Sequence, residues 1–177
     1  MKIYVIRHGE TMVNASNRLQ GRIDSGLTRD GVKQAEQVGR YFWDKEVDLI
    51  ISSPLDRCKQ TAKIISNNLI EIVYDDRLLG RDHGEFTGEP KESINFDEYW
   101  NYNLNTKYDK AESVVDLYNR VEQLLLDLKK QYDGKTLILV THSGLIRVLY
   151  YYFAGIPEDG VLSEIEIENC SVFKYDL

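Results

Sequence analysis

Residues 3–11 read IYVIRHGET. Four apolar residues, Ile3–Ile6, run without alternation into Arg7, His8 and Gly9. A short continuous apolar run of this kind reads as a strand buried on both faces, the kind found in parallel sheets covered by helices. Ligands of open α/β sheets bind beyond the carboxyl ends of the strands. A cation and an imidazole at that end therefore point to function.

Two more runs share the pattern, Asp48–Ile51 and Thr136–Val140. The second strand ends in Ser52-Ser53 and leads to Arg57; the third ends in Thr141-His142-Ser143-Gly144. Helical patterns lie between them. Thr28 can cap a helix with Val32, Ala35, Val38 and Phe42 on one side, and Pro54 can open another through Ala62, Ile65 and Leu69. Ser113 with Asp116 reads as a capping box before Val114, Leu117, Val121, Leu124, Leu125 and Leu128. A further helix is expected after Gly144. The alternating stretches Leu162–Ile167 and Ser171–Tyr175 predict one or two more strands. This order of elements predicts a doubly wound α/β domain, with two histidines and two arginines directed to one pocket.

The chain has 177 residues, the size of one domain, with 42% hydrophobic and 29% charged residues. Its net charge of -7, without a block of Lys and Arg, argues against nucleic acid as a partner. A basic pocket in an acidic protein suits a small anion. No apolar stretch reaches the roughly 18–20 residues of a membrane span, and the N-terminus lacks the pattern of a signal peptide. Cys58 and Cys170, the only cysteines, are expected to be reduced thiols in a cytoplasmic protein. Nothing in the sequence chooses between a monomer and a homodimer.

Residues 84–112 are rich in Asn, Asp, Glu and Lys, with Phe96, Tyr99, Trp100, Tyr102 and Tyr108 interleaved. Their composition predicts a short helix and loops rather than a core element. A solvated insertion and a cap over the pocket are both open, because long irregular segments often form lids.

Arg7 and Arg57 carry planar, permanently charged forks that match phosphate oxygens. A helix starting near Gly144 adds backbone N–H donors. Among such groups a neutral imidazole can attack phosphorus, and nearby arginines favour its neutral form. A second imidazole can stabilise charge on the transferring phosphoryl oxygens. A metal site is the weaker reading. There are three histidines, no carboxylate or thiol cluster accompanies them, and adjacent arginines repel a cation.

RHGET at Arg7–Thr11 resembles the signature of the histidine phosphatase superfamily, also called phosphoglycerate mutase-like. The resemblance continues through Asn14, Arg18, Gln20-Gly21, Asp24, Leu27-Thr28, Gly31 and Gln34-Ala35. SSPLDRCKQTA at Ser52–Ala62 is similar to the family's second block, and THSGLIR at Thr141–Arg147 to its third. The resemblance implies a three-layer α/β/α sandwich with a mostly parallel central sheet. It implies His8 as the phosphorylated nucleophile, with Arg7, Arg57 and His142 completing the phosphate pocket. It implies substrate contacts from Asn14, Gln20, Gly21, Ser143 and Gly144. It also implies that no metal or other cofactor is needed and that the partner is a small phosphorylated substrate or inorganic phosphate.

One departure stands out. The family usually carries a glutamate in a segment like L-x-E-x-x-x-G, where it protonates the leaving alcohol and later activates water. Here the segment is Leu78-Leu79-Gly80-Arg81-Asp82-His83-Gly84, so Gly80 occupies the glutamate position. Such a group is typically worth about 10²–10⁴ in rate. Asp82, Glu85 and His83 are the nearby candidates to replace it, although each taken singly reads more readily as a polar loop residue. Three readings follow: a phosphatase of small phosphomonoesters, a phosphoglycerate mutase, and a phosphate-binding protein with impaired turnover.

Overall fold

The computed structural model describes all 177 residues. In chain order the elements are β1 (Lys2–Arg7), α1 (Met12–Ala15), α2 (Arg29–Phe42), β2 (Leu49–Ser52), α3 (Asp56–Ser66) and β3 (Ile72–Tyr74). They continue with α4 (Phe96–Tyr99), α5 (Val114–Gln131), β4 (Thr136–Thr141), α6 (Ser143–Ala154) and β5 (Val172–Asp176). The five strands form one sheet in the order β3-β2-β4-β1-β5, and only β5 runs antiparallel to its neighbour.

The non-alternating strands follow from burial on both faces. Ile3 and Val5 of β1, with Leu137 and Leu139 of β4, pack against Leu117, Val121, Leu124 and Leu149 of α5 and α6. Tyr4 and Ile6, with Ile50, Ile138 and Val140, pack against Ala35, Val38 and Phe42 of α2 and Ala62 and Ile65 of α3. A fully buried side chain such as Leu117 contributes about 1.5–3 kcal/mol by leaving water. Local signals agree with the packing. Thr28 caps α2 by accepting from the Gly31 amide, and Ser113 caps α5 by accepting from the Asp116 amide.

Register sets the position of the site. Arg7 lies opposite Thr141, and Ser52 lies opposite Val140. The amides of His8 and Ser53 extend the ladders by one step, donating to the carbonyls of Thr141 (3.0 Å) and Val140 (2.9 Å). The carboxyl ends of β1, β4 and β2 are therefore level, and the residue after each projects at one rim.

Four features differ from the sequence expectations. β3 is a three-residue edge strand, half-buried to exposed, too short to show periodicity. Leu162–Ile167 forms no strand. Two of its carbonyls go to arginine side chains, Leu162 to Arg147 Nη1 and Ile167 to Arg7 Nη1, both at 2.7 Å. α3 ends at Ser66 because Asn67 adopts a left-handed conformation, and Leu69 is exposed. The composition of residues 84–112 predicts no core element, yet Tyr99 and Trp100 are buried members of the larger core.

Candidate active site

The level strand ends open into a cavity of about 830 Å³, and Arg7, His8, Arg57 and His142 line it together. The two imidazole centroids are 5.1 Å apart. Arg57, 1% exposed, joins them: its Nε donates to His8 Nε2 at 3.2 Å and its Nη2 to His142 Nδ1 at 3.1 Å. The same guanidinium donates to the carbonyls of Ile23 and Gly21, both at 2.7 Å, which fixes its plane.

These donors define the tautomers, because an arginine N–H can only donate. His8 Nδ1 carries its proton and gives it to the Gly9 carbonyl at 2.8 Å, so Nε2 holds the lone pair. His142 is the opposite tautomer: Nδ1 accepts from Arg57, and Nε2–H donates to Ser53 Oγ at 2.9 Å, with Cys58 Sγ at 3.5 Å. Burial, then Arg57, holds the pKa of each ring well below the ordinary histidine value. Both rings are neutral. Burial lowers Arg7 to about 10, and its Nε is buried without a partner.

The loop after β1 is held from two sides. A Cβ on Gly9 would lie 2.5 Å from the Gly31 carbonyl oxygen, so only glycine admits this approach of loop to α2. The Gly9 amide donates to Thr61 Oγ1 at 3.1 Å, and that hydroxyl donates to the Arg57 carbonyl at 2.7 Å. Asn14 lines the cavity and forms a capping box with Thr11 on α1. Gln20 and Gly21 also line it, but the Gln20 amide is engaged with Thr11 and Ser25, and the Gly21 carbonyl holds Arg57. Ser143 and Gly144 line the cavity at the first turn of α6, whose amides have no intrahelical acceptor.

Gly80 lines the cavity beside His142; a Cβ there would lie 3.2 Å from His142 Cγ. The proposed substitutes Asp82 and Glu85 do not line it. Asp82 accepts from the Gly84 amide at 3.0 Å and sits 3.4 Å from Arg22, while exposed Glu85 accepts from the Asp109 amide at 3.1 Å. Both carboxylates are drawn outward by local amide and arginine partners. His83 does line the cavity.

The sequence reading passed over Ser53, which sets the His142 tautomer, and Asn169, which donates to the His8 carbonyl at 3.0 Å and to Asn14 Oδ1 at 3.2 Å. Ser53 had a signal in its strand-end position; Asn169 had none. No three His, Cys, Asp or Glu side chains converge in a metal-holding arrangement. No helix is long and apolar enough to cross a membrane. Cys58 and Cys170 are free, buried thiols, both pushed up to about 12 by burial.

The model of the histidine phosphatase superfamily, branch 1, matches residues 3–177. This chain belongs to that superfamily. A probable phosphoglycerate mutase GpmB of Erwinia tasmaniensis is 30% identical to it over 99% of this chain and 85% of the relative. Among solved structures, YhfR of Bacillus stearothermophilus superimposes with a TM-score of 0.89 at 28% identity, over 99% of this chain and 91% of the other. A phosphoserine phosphatase mutant of Entamoeba histolytica in complex with phosphoserine gives 0.86 at 27% identity, over 98% and 89%. The match spans nearly the whole chain and takes in the level strand ends.

Proposed function

We propose that the chain is a phosphatase that hydrolyses a small phosphomonoester through a phosphohistidine at His8. One observation carries the proposal: a neutral His8 whose Nε2 lone pair faces Arg57, inside a cavity that Arg7 and His142 share. An entering phosphate competes for the Arg57 donors. Arg7 and Arg57 take its oxygens, and His142 and the first amides of α6 stabilise the equatorial charge. His8 Nε2 then bonds to phosphorus as the alcohol leaves, and water later cleaves the N–P bond. Asn14 contacts the phosphate, whereas Gln20 and Gly21 act by holding the loop and Arg57. Residues 84–112 act as a cap, since Lys91, Phe96 and Trp100 line the cavity from that side.

The test is hydrolysis of an aryl phosphate by wild type and His8→Ala, with chemical trapping of the phosphoenzyme. An acid-labile, base-stable phosphoenzyme is expected in wild type alone, with the variant slowed by roughly 10⁵-fold. Equal rates would remove the assignment. Equal and negligible rates with retained phosphate binding would favour the impaired phosphate binder, the reading that Gly80 keeps open. The relatives named probable phosphoglycerate mutase support a further reading. Interconversion of 2- and 3-phosphoglycerate, stimulated by the bisphosphate, would establish it.

A further inference from the structure

Gly80 leaves the phosphate pocket without a carboxylate at the place where the leaving oxygen needs a proton. The carboxylates that do line the cavity, Glu92, Glu164, Glu166 and Glu168, are all exposed. The wall beside Gly80 is formed by Gly21 and His142: a Cβ on Gly80 would meet His142 Cγ at 3.2 Å and the Gly21 carbonyl oxygen at 3.5 Å. A Cβ on Gly21 would in turn lie 3.2 Å from His83 Cδ2. Gly21 is thus a neighbour both of Gly80 and of the Cδ2 edge of His83. Nε2 is bonded to that carbon. The other ring nitrogen, Nδ1, lies 2.7 Å from the Tyr99 hydroxyl. Tyr99 is 1% exposed, and its ring is fixed in the core against Phe86, Trp100 and Tyr108. His83 is therefore a partly exposed imidazole of the cavity wall, anchored at one nitrogen and linked to Gly80 through their shared neighbour Gly21.

We infer that His83, held by Tyr99, is the general acid and base of this site in place of the missing glutamate. The inference rests on the phosphatase reading. In the first half-reaction the P–O bond to the alcohol breaks as His8 Nε2 bonds to phosphorus, and the departing oxygen takes the Nε2 proton of cationic His83. In the second half-reaction water adds to phosphorus, neutral His83 Nε2 takes a water proton, and the N–P bond breaks. Inorganic phosphate leaves, and His83 is cationic again. Nδ1–H donates to the Tyr99 oxygen in both states, so one tautomer serves both halves.

The groups around His83 set its pH behaviour. They are Arg81 and Asp82 on its own loop, Tyr99 from α4, Arg22 paired with Asp82 from the loop after β1, and Glu112 ahead of α5, which Arg120 engages. Burial, then Arg81, lowers His83 to about 4, and a phosphate dianion held beside it would oppose this shift. The cationic form is thus favoured by low pH and by substrate. Aryl phosphates, whose leaving groups need no proton, escape this requirement.

The experiment compares kcat/KM for an alkyl phosphate, β-glycerophosphate, with that for p-nitrophenyl phosphate across pH 4–8. Wild type, His83→Gln and Tyr99→Phe are each checked for a cooperative melt. The two esters lose their second proton at different pH, so each rate is first divided by the dianion fraction of its own substrate and the ratio is taken afterwards. In wild type the alkyl-to-aryl ratio should fall as pH rises. His83→Gln should flatten that slope and lower the ratio at pH 5 by about 10²-fold, with the aryl rate changed less than about tenfold. Tyr99→Phe should lower the ratio several-fold and carries the test if His83→Gln does not fold. An unaltered ratio and slope in the variants, or equal losses on both substrates, would overturn the role of His83 while leaving a His8-dependent aryl phosphatase standing. Loss of aryl hydrolysis as a difference between wild type and His8→Ala would instead overturn the phosphatase reading, and this assignment with it.

Discussion

On the floor of the cavity both ring nitrogens of His8 and His142 have partners, and every nitrogen of Arg57 donates. Along the loop from Leu79 to His83, Gly80 has no side chain, Asp82 turns outward to Arg22, and buried Arg81 keeps Nη2 without a partner. The floor is pre-organised by strand ends that the sheet register makes level. The loop is held by contacts to the aromatic residues of 84–112, Arg81 lying 3.7 Å from the centre of the Tyr99 ring. Binding and activating a phosphoryl group needs donors already aimed at developing charge. Protonating a leaving group needs a group matched to that alcohol. On the proposed phosphatase reading, the first task falls to the sheet and the second to the loop.

Substitutions on the floor should damage all substrates alike. Arg57→Ala removes the donor shared by both histidines, and kcat/KM should fall by about 10³-fold for aryl and alkyl phosphates together. A loss confined to alkyl substrates would erase the division between the regions. Substitutions on the loop should discriminate. Gly80→Glu should raise turnover of alkyl phosphates by about tenfold or more and leave aryl phosphates little changed. Its Cβ, 3.2 Å from His142 Cγ, should also lower the melting temperature by about 2–4 °C. Unchanged alkyl turnover in a folded variant would count against the placement of the glutamate position.

Two smaller effects sharpen the comparison. Ser53→Ala frees the His142 tautomer and should cost several-fold in kcat on both substrate classes, with Ser53→Thr restoring most of it. A loss on one class only would move Ser53 out of the floor. Stability supplies the last test. His8, His142 and His83 all have folded pKa values below the unfolded value of about 6.5. Between the folded and unfolded values the unfolded chain binds more protons, so stability is fully present above about pH 6.5 and is lost as pH falls. The melting temperature should therefore decline below that pH, and His83→Gln should make the decline shallower.

The sequence by itself determined the α/β class, the three buried strands β1, β2 and β4, and the four groups that follow their ends. Continuous apolar runs require burial on both faces, and Arg7-His8, Arg57 and His142 follow where those runs end. Strand ends have a direction, so residues there can be placed before any contact is known. Only the tertiary structure decided where the loop side chains point. Asp82, His83 and Glu85 are near neighbours in sequence, yet Arg22 and two backbone amides turn the carboxylates away, while Tyr99 fixes the imidazole in the cavity wall. The same holds for Leu162–Ile167, whose alternation suited a strand until two arginines took its carbonyls. Periodicity reports which residues need burial; it does not report which partner, tens of residues away, captures a polar group that water would otherwise satisfy.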